Sequence, residues 1–158
     1  MSKEERKILR EKRKKFIEQA KDLGLSVNQV WCFGCNTYTN AYAAIGSKTW
    51  AFSLENSVTP KVKYGDRFII ITTKNEKYFV VTGLICSEVK CGIEINDIWP
   101  ETWKDPIEIL PLKNGFITAD DLREIFGKDW SSKLTLHWSH APSKISQEEI
   151  KDIEDLLQ

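Results

Sequence analysis

Two β-rich apolar runs on either side of a short polar break constrain this chain more than any other feature. Arg67–Thr73 (RFIIITT) and Tyr78–Ser87 (YFVVTGLICS) flank Asn75–Lys77. β-branched and aromatic residues at this density suit a pleated, packed surface, and the polar break predicts a hairpin. Lys63-Tyr64-Gly65-Asp66 reads as a turn leading into the first run. Further strands are predicted over Asn28–Asn36, Thr49–Ser53, Ile107–Leu112 and Leu134–Trp138. Helices are predicted over residues 3–22 with Gly24 as a C-cap, over Thr37–Ile45 ending at Gly46, over Thr118–Phe126 and over Ile145–Leu157. Thr118 is placed to cap the third helix, and Ser146 with Glu149 forms a capping box on the last. Without strict βαβ alternation, a doubly wound parallel sheet is disfavoured. The pattern is α+β, a small mixed barrel with flanking helices.

A length of 158 residues suits one domain with a single core. Charged residues make up 29% and hydrophobic residues 41%, an ordinary globular profile. No apolar run approaches the roughly 20 residues a membrane helix needs. The N-terminal stretch has no apolar signal core, so the expected compartment is the cytoplasm, where four cysteines are expected as thiols. Net charge is zero but uneven: Arg10, Lys12, Arg13, Lys14 and Lys15 crowd one end, and the last dozen residues are acidic. A basic arm suits nucleic-acid contact, and it equally suits a solvated helix face. Residues 1–24 thus read as a basic helix packed on, or extending from, a domain over 25–158.

Motifs for catalysis are weak. Gly46-Ser47-Lys48-Thr49 lacks the direct Gly-Lys-Ser/Thr order and the upstream glycine of a phosphate loop. Cys32 and Cys35 form a CxxC, with Cys86 and Cys91 as a looser second pair. Four thiolates suit a structural zinc, but a strand over 28–36 points Cys32 and Cys35 to opposite faces. The alternative is that they serve as small buried hydrophobes. His137 and His140 are the only histidines. No Ser/His/Asp or paired-carboxylate arrangement appears, so neither an enzyme nor a cofactor is expected.

Tryptophan is the unusual component, with six in the chain. Two fall in Ile98-Trp99-Pro100-Glu101-Thr102-Trp103, where the proline forbids an ordinary central strand. Indoles on such a segment are expected to face outward and stack on something flat, such as a nucleobase. Trp31 and Trp130 are expected to pack. Trp50, Trp99 and Trp103 remain as binding candidates.

Asn36 and Asn40 precede Trp50 by fourteen and ten residues. With that spacing and the Trp99–Trp103 loop, the chain resembles the YTH and EVE branch of the PUA-like superfamily, small β-barrels that read modified nucleobases. YTH domains carry two asparagines at the same separations before their first cage tryptophan. Lys63–Phe68 and Leu136–Leu157 resemble EVE elements, and Gly34 stands where YTH domains often have a basic residue. The resemblance implies a non-enzymatic reader of N6-methyladenine. Trp50 and Trp99 would sandwich the purine, and Trp103 would close on the methyl group. Asn36, Asn40 and the Ala51 carbonyl would bond the base edge. Phosphates would fall to a choice among Lys48, Lys61, Lys104, Lys133, His140 and Lys144. By analogy with recognition modules of McrB-type restriction GTPases, methylated DNA is the preferred partner over RNA, with a GTPase motor domain and a nuclease subunit as further partners. Alternatives are an EVE-like reader of modified cytosine or RNA, and a zinc- or thiol-dependent protein using the four cysteines. Truncation of Trp50 is expected to spare stability.

Overall fold

The computed structural model describes residues 2–23, 28–35, 37–53, 61–134 and 143–157. Seven strands form one mixed sheet: β1 (Val30–Gly34), β2 (Thr49–Ser53), β3 (Arg67–Lys74), β4 (Lys77–Ile85), β5 (Glu94–Ile95), β6 (Trp103–Ile117) and β7 (Ser143–Ile145). The order is β2-β6-β4-β3-β1-β7, with β5 added to β6; β1 and β3 are parallel and the other pairs antiparallel. Five helices accompany it: α1 (Lys3–Asp22), α2 (Tyr38–Ser47), α3 (Ala119–Phe126), α4 (Trp130–Lys133) and α5 (Gln147–Leu156).

The predicted hairpin is the centre of the sheet. β3 and β4 pair from Arg67↔Leu84 to Lys74↔Lys77. Their residues alternate between two cores, which explains why the runs are apolar throughout. Phe68, Ile70, Phe79 and Val81 join one cluster with Trp31, Phe33, Trp50 and Trp99. Ile69, Ile71 and Val80 join the other, with Cys32, Leu122, Leu134 and Ile153. The first core is covered by α2 and β2, the second by α3 and α5.

The sheet does not close into the expected barrel. β2 and β7 remain edges among the described residues. Closure needs a ladder between those edges, and β7 offers only three residues, all turned to β1. The sheet is nonetheless strongly curled: Phe33 on β1 stacks on Trp50 of β2 with ring centroids 5.7 Å apart.

β6 is longer than the predicted Ile107–Leu112 because its prolines sit at bulges rather than at its ends. Opposite β2 the register passes from Trp50↔Ile107 to Phe52↔Lys104, so Asp105 and Pro106 together face Ala51. Asp105 takes a positive φ of 53° there. Opposite β4 it passes from Thr82↔Lys113 to Gly83↔Pro111, leaving Leu112 extra. A proline at a bulge withholds no needed donor. Glycine is required at 83, because a Cβ there would lie 2.0 Å from the Leu110 carbonyl oxygen.

Two buried carboxylates fix the layers. Asp66 accepts from the Trp31 indole N–H (2.9 Å) and from the backbone N–H groups of Gln29 (3.1 Å) and Lys63 (3.0 Å), tying the Gly-Asp turn to the start of β1. Glu154 of α5 receives both arms of the Arg67 guanidinium at 2.8 Å and the Thr82 hydroxyl at 2.9 Å, holding α5 on the sheet. The predicted cap at Thr118 and the predicted capping box at Ser146 are both formed, and Asp121 completes a box at Thr118 as well. At the N-terminal end, α1 lies beside α5, and Arg6 pairs with Glu124 of α3 at 3.0 Å. The predicted strand beyond Leu134 lies outside the described residues, as does Gly24; Leu134 itself caps α4.

Burial pushes the Glu154 carboxyl up, but Arg67 and Thr82 outweigh it and hold the group below its ordinary value of 4.5. A lowered folded value means stability that is present above the ordinary value and lost as pH falls through the folded one. Glu154→Gln is therefore expected to lose about 3–5 kcal/mol at neutral pH, since Arg67 is left unpaired. It should also show a flatter fall in stability below about pH 4.5 than the parent. Urea titrations across that range provide the measurement, and parallel pH profiles would count against the clamp.

Candidate functional site

Three segments far apart in sequence meet at one end of the first core. Asn40, Trp50, Ala51, Trp99 and Trp103 line a single small crevice, closed too tightly to admit a water molecule. Each is placed by a local device. The Thr37 hydroxyl caps α2 by accepting from the Asn40 N–H at 3.1 Å, which fixes Asn40 in the first helical turn. Lys48 ends α2 in a left-handed conformation (φ 53°), and the chain turns directly into β2 with Trp50 and Ala51. β5 pairs with β6 through Ile95↔Trp103, so the intervening loop carries Trp99 back over the core. Ala51 lies opposite the β6 bulge and has no partner in the ladder register.

The indoles contact one another at steep angles. Trp50 and Trp99 meet edge to face, with centroids 5.9 Å apart and planes at 82°. Trp99 and Trp103 are tilted at 57° with centroids 6.0 Å apart. The expected sandwich between Trp50 and Trp99 is therefore not formed. A ring held between two parallel rings needs roughly 7 Å, twice a carbon contact distance. Here the two indoles make a wall and a floor, and Phe33 covers one face of Trp50 at an interplanar angle of 15°.

Nor do these rings face outward. Trp50 and Trp99 are each 5% exposed and belong to the core, while Trp103 is half-buried. Burial of so large an apolar surface outweighs the exposure expected of a proline-broken loop. The Trp99 N–H is engaged on the Asn40 carbonyl at 3.1 Å. The Trp103 Nε1 is shielded from solvent without a hydrogen-bond partner, a state that costs about 1–3 kcal/mol. At the rim, Asn40 Nδ2 donates to Glu101 Oε1 at 3.2 Å. Glu101 and the backing ring Phe33 were missed in the sequence. Glu101 stands between the two loop indoles, which was the signal available for it.

Asn36 and His140 lie outside the described residues. Among the proposed phosphate contacts, Lys48 and Lys104 belong to the elements that form the cavity: Lys48 is exposed beside β2, and Lys104 is half-buried and engaged next to Trp103. Lys61 is exposed just ahead of the core residue Val62. Lys133 and Lys144 lie on α4 and β7, away from the cavity's own elements, and the Lys144 ammonium sits 5.0 Å over the Trp31 ring. Trp31 is buried, and Trp130 packs edge-on against Tyr78 at 5.3 Å.

The cysteines are not brought together. Cys32 belongs to the second core and Cys35 to the first, as strand alternation dictates. The Cys32 thiol contacts the Leu134 carbonyl and the Cys35 thiol the Thr37 carbonyl. Burial pushes Cys32 up to about 12 and Cys35 up to about 11. Cys86 is half-buried and Cys91 exposed, and no cluster able to hold a metal occurs among the described residues.

No protein-family model and no curated protein matches the sequence. Among solved structures, the chain is similar to the YTH domain of Mmi1, determined in complex with RNA. The TM-score is 0.54 at 12% identity, over 82% of this chain and 77% of that one. The chain has a YTH-like fold. At that identity the likeness is one of architecture.

Because Trp50 is core, Trp50→Ala is expected to lower stability by about 3–5 kcal/mol, contrary to the reading from sequence. Denaturant unfolding measures this directly. Treatment of the folded protein with a thiol reagent should modify Cys91 and spare Cys32 and Cys35, as counted by mass spectrometry.

Proposed function

We propose that this protein binds a methylated base of a nucleic acid, N6-methyladenine being the ligand that suits the cavity best. The observation carrying the proposal is the convergence of Asn40, Trp50, Ala51, Trp99 and Trp103 on one cavity. The chemistry follows from the parts. The side of Trp50 away from Phe33 stacks on the purine once the site opens, worth about 1–3 kcal/mol. Trp99 forms the floor, and Trp103 encloses the methyl group, whose burial adds on the order of 1 kcal/mol. The Ala51 carbonyl, unpaired in the ladder register, accepts the single proton left on N6. The Trp103 N–H, which lacks a partner in the empty site, is satisfied by an acceptor on the ligand. The Asn40 amide exchanges Glu101 for the base edge. The base arrives single-stranded or flipped, since duplex stacking hides it.

The indoles leave no slot between them, so binding includes an opening step. Trp103, half-buried at the start of β6, is the side chain to turn aside. The McrB-type analogy favours DNA with a motor and nuclease as partners, whereas the neighbour of similar fold was solved with RNA; the polymer is therefore part of the test. Protein with this role needs no catalytic group.

Matched oligonucleotides bearing adenine, N6-methyladenine, cytosine or 5-methylcytosine, made as DNA and as RNA, form the titration series. The N6-methyladenine strand is expected to bind about fivefold or more tighter than the plain adenine strand. Trp103→Ala should erase that preference while leaving the melting temperature close to the parent's. Equal affinities for methylated and plain adenine would sink the proposal, and preference for 5-methylcytosine would transfer the cavity to the alternative ligand.

A further inference from the structure

A second aromatic group lies on the other side of α2 from the cavity. Tyr38 and Tyr42 are one turn apart on that helix, whereas Asn40, between them in sequence, projects toward the cavity. Tyr38 meets Phe79 at 4.8 Å and Tyr42 meets Phe79 at 5.8 Å, while Phe116 of β6 lies parallel to Tyr38 at 6.1 Å. Unlike the cavity indoles, these rings reach solvent: Tyr42 is 56% exposed and Phe116 is 48% exposed. The tip of the β3–β4 hairpin borders them. Lys74, Asn75, Glu76 and Lys77 form an open hollow with Phe116, and the Lys74 ammonium stands 4.9 Å over the Tyr38 ring.

We propose that Tyr42 and Phe116, backed by the half-buried Tyr38 and flanked by Lys74 and Lys77, form a stacking platform for a single strand of nucleic acid. Exposed rings accept bases of any identity through their faces, and neighbouring ammonium groups neutralise the phosphates between stacked bases. The hairpin tip supplies two cations against one carboxylate, the sign that fits a polyanion. An α-helix with its side chains is only about 10–12 Å across, so one strand can pass from the platform to the cavity around α2. The platform requires no methyl group and so stands or falls separately from the methylated-base reading.

Unmodified oligothymidylate and oligouridylate of about twelve nucleotides, within the usual span of such grooves, are the probes. They contain no adenine, so a failure of the cage proposal leaves their binding untouched. The full chain is expected to bind them, and Tyr42→Ala and Phe116→Ala should each weaken binding about fivefold or more. Lys74→Gln and Lys77→Gln should each reduce the salt slope by up to about 0.7, the value for one single-strand phosphate contact. Circular dichroism and melting check that the variants fold. If an aromatic variant does not, the doubly reversed Lys74→Glu/Lys77→Glu protein replaces it, with binding expected to fall more than tenfold. Folded variants that bind like the parent would overturn the platform, as would a parent that does not bind these strands. A concentration-dependent dimer in sedimentation that Tyr42→Ala abolishes would instead assign the surface to a second copy of the chain.

Discussion

One strand has to serve three neighbours, and that demand shapes the molecule. β6 pairs with β4 along its second half, with β2 along its first, and with β5 at its start. A straight strand of fifteen residues would splay its two ends; two bulges bend this one instead. At the Asp105–Pro106 bulge the ladder skips Ala51, one of the residues that line the cavity. At the Leu112 bulge the approach to β4 is so close that only glycine fits at 83. Trp103 sits at the start of β6 and Phe116 near its end, so the cavity and the exposed rings hang from opposite ends of the same bent element. Proline, which weakens an ordinary strand, here marks the places where bending is required.

Around that strand the sheet carries a core on each face. The division decides what the cysteines are: adjacent in a CxxC, they fall into different cores and behave as small apolar fillers. The same division leaves few routes for polar groups, and among the buried carboxylates Asp66 and Glu154 bridge between elements. Asp66 joins the turn before β3 to the start of β1, and Glu154 joins α5 to β3 and β4. Both connections hold the β1–β3–β4 centre rigid. Phe33 on β1 can therefore act as a firm back for Trp50, which is held besides by the pairing of β2 with β6 and by contact with Trp99.

Much of this was legible in the sequence. The β3–β4 hairpin, α2 with its asparagine, the β2 tryptophan, the cap at Thr118 and the capping box at Ser146 all follow from local chemistry. That Asn40, Trp50, Ala51, Trp99 and Trp103 share one cavity followed from spacing and resemblance. What was not legible depends on burial and on non-local geometry. Pro100 suggested an exposed loop, but the β5–β6 pairing folds Trp99 inward. The predicted bounds Ile107–Leu112 fell short of β6, because a bulge leaves no mark in the residues that form it beyond a proline. The open edge between β2 and β7 could not be read from strand count. Nor could the angle between Trp50 and Trp99, since ring orientation is set by Phe33 and by the Trp99–Asn40 bond.

That angle bears on how such a site can discriminate. An empty cavity with its indoles in contact must open for any base, methylated or not. The opening free energy lowers both affinities by the same factor and leaves their ratio unchanged. On the proposed reading, the ratio then rests on a methyl group worth about 1 kcal/mol and on the hydrogen bonds at N6. A difference of that size is useful only when binding common to both forms is supplied elsewhere. Exposed rings and lysines on the far side of α2 supply binding of that indifferent kind, and two contacts on one strand reinforce each other through effective concentration. The short helix from Tyr38 to Ser47 would then separate affinity from selectivity, one on each of its faces.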